Sequence, residues 1–66
     1  MKLAKTRDVL AAYRKGKMQA VAEYLFQEEL EFKEGTWVNK AKKLLEEGSR
    51  LSLEEEINMI LYKGNL

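Results

Sequence analysis

An all-α domain, a small bundle of three to four short helices, is the fold class this chain predicts, and three observations carry the prediction. Proline is absent, and four glycines, Gly16, Gly35, Gly48 and Gly64, are the only strong breaks, cutting the chain into pieces of helix length. Between them apolar residues recur at three- and four-residue spacing, the period of one helix face. The positions between are filled mainly by Ala, Glu, Gln and Lys, which favour helix over strand. Sixty-six residues make one domain, spanning 1–66.

The first helix is expected to open at Thr6, an N-cap residue, with Asp8 favoured in its first turn by the helix dipole. Val9, Leu10 and Tyr13 form its apolar face and Gly16 follows its last turn, the first two helices being either separate or one element bent around Gly16. A second helix is expected from about Lys17 to Phe32, with Met18, Val21, Ala22 and Leu25 on one face. Glu29 falls on that stripe, so either the helix ends near Glu28 and leaves it at the core edge, or it pairs with a basic residue of the first block. The third helix follows a Thr36 N-cap, carries Trp37, Val38, Ala41, Leu44 and Leu45 on one face, and ends at Gly48, where a left-handed residue is wanted. Ser52-Leu53-Glu54-Glu55 reads as a capping box opening a fourth helix, with Leu53, Ile57, Ile60 and Leu61 as its face and Gly64 as its end. Strand is a minor alternative at Tyr24-Leu25-Phe26. The expected core is Leu10, Tyr13, Val21, Leu25, Trp37, Ala41, Leu44, Ile57, Ile60 and Leu61, with Trp37 at its centre.

Composition narrows the chemistry. The chain has neither Cys nor His, which removes disulfides, ordinary zinc sites, thiol nucleophiles and imidazole bases. Carboxylates one turn apart, Glu28 and Glu31, lack the further oxygen ligands a divalent cation needs. Hence no metal, no cofactor and no enzyme is expected. A domain of this size without disulfide or metal is short of stabilising interactions, and self-association as a homodimer is the remaining remedy. The longest apolar run, Val9 to Tyr13, is too short to span a bilayer or to form a signal-peptide core, so no membrane segment is expected and the cytoplasm is the expected location.

Charge is sorted into blocks. Residues 1–22 carry six basic residues against one acid, 23–35 five acids against one base, 36–50 four bases against two acids, and 51–66 three acids against one base. The sum, +1, conceals local fields strong enough to select partners. Met59 and Tyr62 lie away from the main face of the fourth helix and Tyr24 away from that of the second. These three are the candidate protein interface, since Tyr and Met are enriched on such surfaces. Arg7, Arg14, Lys15 and Lys17, with Asn39, Lys40, Lys42 and Lys43 of the third helix, are the candidate contacts for DNA phosphates and bases.

Two resemblances add to this. Gly16, Ala22-Glu23, Leu25-Phe26 and Thr36-Trp37-Val38-Asn39-Lys40 resemble, in order, the helix-turn-helix of response-regulator output domains. The match spans about a third of the chain, with ten residues from Phe26 to Thr36 where that family has a tight turn. It implies DNA binding through Asn39, Lys40, Lys42 and Lys43 on a recognition helix. Trp37-Val38, a glycine near the helix end, then Ser52, Glu55 and Ile57 are similar to the helical hook by which small Gram-positive antirepressors pair with their repressor. The function expected is a small regulator that binds a partner protein as a homodimer, of the accessory kind found in phages and mobile elements. A helix-turn-helix-like DNA-binding regulator is the alternative.

Overall fold

The structure, a computed structural model, describes residues 2–63. Its order is β1 (Lys2–Leu3), α1 (Thr6–Leu25), β2 (Leu30–Glu31), α2 (Trp37–Glu46) and α3 (Arg50–Lys63), so the fold is mostly helical and each helix packs on the other two. One core gathers Val9, Tyr13, Met18, Val21 and Leu25 from α1, Val38 and Ala41 from α2, and Leu53 and Ile57 from α3, with Ala4 and Leu30 closing it beneath the strands.

The first two expected helices are one element with a break. Gly16 and Lys17 leave helical geometry inside α1, Gly16 at φ −148° and Lys17 at φ 58°, ψ −147°. Gly16 does not use a positive φ. Its lack of a side chain matters for another reason: a Cβ there would lie 2.9 Å from that of Ala20. Lys17 holds the conformation that L residues avoid, one position after the residue that could adopt it cheaply.

Both ends of α1 differ from expectation, and the strands explain why. β1 and β2 are parallel, with Lys2 opposite Leu30 and Leu3 opposite Glu31. The Lys2 amide donates to the Glu29 carbonyl at 3.1 Å and the Ala4 amide to the Glu31 carbonyl at 2.8 Å. This pairing holds the chain extended through Lys5, which therefore takes the N-cap position that Thr6 was expected to fill. At the other end α1 stops at Leu25, not Phe32, because Leu30 is drawn into the core by the strand pairing. Ending there also spares Glu28 and Glu29 a place at the negative end of the helix dipole, and Glu29 is exposed. The strand thus lies at Leu30–Glu31 and not at Tyr24–Phe26.

α2 follows expectation. The Thr36 hydroxyl accepts from the Asn39 amide at 3.3 Å and donates to the Lys33 carbonyl at 2.7 Å. At its far end the Ser49 amide donates to Leu44 and the Gly48 amide to Leu45, with Gly48 at φ +80°, a Schellman cap that satisfies the last carbonyls. That cap feeds straight into α3, where the Leu53 amide donates to the Ser49 carbonyl at 3.1 Å. The helix therefore opens at Arg50, and Ser52 lies in its first turn instead of capping it. Gly64, expected to end this helix, lies outside the described residues.

Trp37 is not the centre of the core. It is half-buried at the start of α2, where its indole Nε1–H donates to Glu56 Oε1 at 2.9 Å. Leu25, Leu53 and Ile57 are the largest side chains fully enclosed; Leu10, Leu44 and Leu61 pack partly buried against the core, and Ile60 is half-buried.

Candidate functional site

On α3, Leu53 and Ile57 point into the core, so helical geometry directs Leu51, Glu55, Asn58, Met59 and Tyr62 to the opposite side. Leu51 is 71% exposed, Met59 54% and Tyr62 83%. These are three large apolar side chains on one helix face, with Glu55 and Asn58 between them. Glu55, Asn58, Met59 and Tyr62 line one shallow depression there.

The acids beside that face are held by the rest of the fold. Glu54 accepts from the Tyr13 hydroxyl at 3.0 Å, joining α3 to α1. Glu56 accepts from Trp37 and pairs with the Lys40 ammonium at 3.1 Å, joining α3 to α2. The Trp37 hydrogen bond, and after it Lys40, holds the Glu56 carboxyl below its ordinary value. With both neighbours turned inward, Glu55 is the exposed acid of the triplet.

Tyr24 lies elsewhere. Half-buried on α1, it accepts from the Lys5 amide at 3.2 Å and donates to Asp8 Oδ2 at 3.2 Å. Burial is the main cause of its raised pKa, with the Asp8 charge adding to it. The structure places it in a groove of about 460 Å³ with Ala12, Gly16, Ala20 and Glu23, apart from Met59 and Tyr62. The three residues expected to form one interface are thus divided between two surfaces.

The basic candidates are divided too. Arg7, Arg14, Lys15 and Lys17 are exposed on α1, the last with its ammonium 4.9 Å from the Tyr13 ring centroid. On α2, Lys40 is paired with Glu56 and the Lys42 ammonium lies 4.7 Å from the Phe32 ring centroid, while Asn39, Lys40 and Lys43 line a hollow with Trp37. β2 and the Gly35 turn separate α1 from α2, so these helices are not joined by the tight turn of a helix-turn-helix.

Leu51 was not among the expected site residues. Placing the N-cap at Ser52 leaves Leu51 outside the helix; starting the helix at Arg50 puts it on one stripe with Met59 and Tyr62. No family model matches the chain, and neither the curated proteins nor the solved structures yield a match. No helix among the described residues is long and apolar enough to cross a membrane.

Proposed function

We propose that this chain is a small non-catalytic regulator that acts by binding another protein through the outer face of α3, and that it self-associates. The observation that carries the reading is the exposure of Leu51, Met59 and Tyr62 on the side of α3 opposite its buried face. Large apolar side chains grouped on one helix face, with Tyr and Met among them, are what protein interfaces use and what isolated surfaces avoid. In this reading the helices, with α1 counted as two segments about its break, form the small bundle that displays the face.

The alternative, a DNA-binding regulator, draws on the exposed Arg7, Arg14, Lys15 and Lys17 of α1. Its α2 component is weakened because Lys40 and Lys42 already have partners within the chain. One experiment separates the two. Affinity capture with the intact chain should retain a protein that Tyr62→Glu loses and that a Lys40, Lys42 and Lys43 charge reversal keeps. Binding of a random-sequence duplex that falls with rising salt, at a log-log slope of about −0.9 per neutralised phosphate, would transfer the assignment to DNA.

A further inference from the structure

We infer that the outer face of α3 is built to pair with the same face of a second copy, the two helices running antiparallel; this rests on the reading of that face as an interaction surface. The argument begins with spacing. The outward row reads Leu51, Glu55, Asn58, Tyr62, at intervals of four, three and four residues. That series is the same in either direction. Reversing a second copy against the first sets Leu51 on the partner copy's Tyr62 and Glu55 on its Asn58, each pairing occurring twice, as a twofold contact requires.

Charge selects the same orientation. A parallel pair would set Glu55 against Glu55, two exposed carboxylates facing each other along an apolar seam. The antiparallel pair sets each Glu55 against an Asn58 amide, which can donate to it. The helix dipoles also oppose each other favourably in that arrangement. Arg50 and Lys63 then meet only at the two ends of the seam, where water and salt screen them. Leu51 and Tyr62, the two most exposed large apolar residues described, cover one another.

Area sets the strength. Fourteen residues make a helix about 21 Å long and ~10–12 Å across, so one face of it offers roughly 200–250 Å² of projected area on each copy. A standard stable interface takes about 800 Å² per partner, so the pairing belongs to the weak, concentration-dependent class.

Because the natural chain has no cysteine, the orientation can be read by cross-linking the whole chain. Leu51→Cys and Tyr62→Cys chains, mixed and oxidised, should form the mixed disulfide in large excess over either self-linked product. The like positions of an antiparallel pair lie about 16 Å apart along the axis. Self-linked products equal to the mixed one would overturn the antiparallel arrangement. Light scattering over a wide concentration range gives an independent reading that keeps the apolar face intact. The mass should rise from 7.7 kDa towards twice that value, and Met59→Glu should abolish the rise while leaving the helical circular dichroism unchanged. A mass that stays at one copy up to millimolar concentration would also overturn the pairing. In that case the partner-protein reading would still stand or fall on its own capture experiment.

Discussion

At the scale of single residues, Gly16 and Lys17 carry the clearest energetic consequences. Gly16→Ala places a methyl group against Ala20 and should cost ~1–3 kcal/mol, as overpacking does, even though the Gly16 φ is negative. Lys17→Gly removes a strained φ worth ~1–3 kcal/mol. It gives up a cation–π contact of ~0.5–1 kcal/mol with Tyr13 and adds chain entropy to the unfolded state. The expected net effect is a stabilisation of up to about 1 kcal/mol. Urea midpoints of the two variants should move in opposite directions; a lower midpoint for Lys17→Gly would mean that the Tyr13 contact and the added chain entropy together outweigh the strain. Of this pair, the sequence showed a break at Gly16 but not which of the two residues bears the unusual conformation, because a glycine signals freedom without saying where the neighbouring backbone will spend it.

The elements were legible to the extent that their ends are decided locally. Thr36 and Gly48 bound α2 through contacts within a few residues of themselves, and both are where their residue types predict. The ends of α1 are decided by β1 and β2, whose pairing joins positions 2 and 30 and leaves no periodic trace in two-residue strands. The α2–α3 junction depends on a third factor, since a Schellman cap that runs directly into the next helix overrides the Ser52 capping box. Gly48→Ala should therefore cost about 1 kcal/mol, measured by denaturation, because Ala must take up φ +80°. The α2–α3 contact also carries a pH dependence. Glu56 has a lower pKa folded than unfolded, so its contribution is complete at neutral pH and is lost as pH falls below the ordinary carboxylate range and through the depressed value. Thermal melts of Glu56→Gln from pH 7 to pH 3 should show a shallower loss of Tm than the natural chain; parallel curves would remove Glu56 from the acid response. Trp37→Phe removes the hydrogen bond while keeping a ring in place, and should lower stability by about 1 kcal/mol at pH 7 and by less at pH 3.

For the whole molecule, a chain of 66 residues has roughly 3–10 kcal/mol of stability at ~0.05–0.15 per residue. Ile57→Ala or Leu25→Ala, each emptying a fully enclosed site, removes ~2–5 kcal/mol of it. Urea denaturation should show both variants destabilised by that amount, a large share of the whole, whereas Tyr62→Ala, on an 83% exposed residue, should melt like the natural chain. The core positions of α1 and α2 follow from spacing, and Tyr13, Val21, Leu25, Ala41 and Ile57 lie where the sequence puts them. Trp37 was misplaced because its size argues for burial, while its position at the first turn of α2 lets the ring reach Glu56 at the core edge. The α3 face was only partly visible: Met59 and Tyr62 stood out, but Leu51 needed the correct helix start. The β1–β2 clasp has one more consequence, for the order in which the chain assembles. The α2–α3 hairpin closes over three residues, whereas the clasp must bring together segments separated by all of α1, at a greater cost in chain entropy. The hairpin should therefore belong to the folding nucleus and the clasp should form after the rate-limiting step. In stopped-flow experiments, Leu30→Ala should accelerate unfolding while leaving the refolding rate nearly unchanged, so the clasp acts as a latch on the lifetime of the native state.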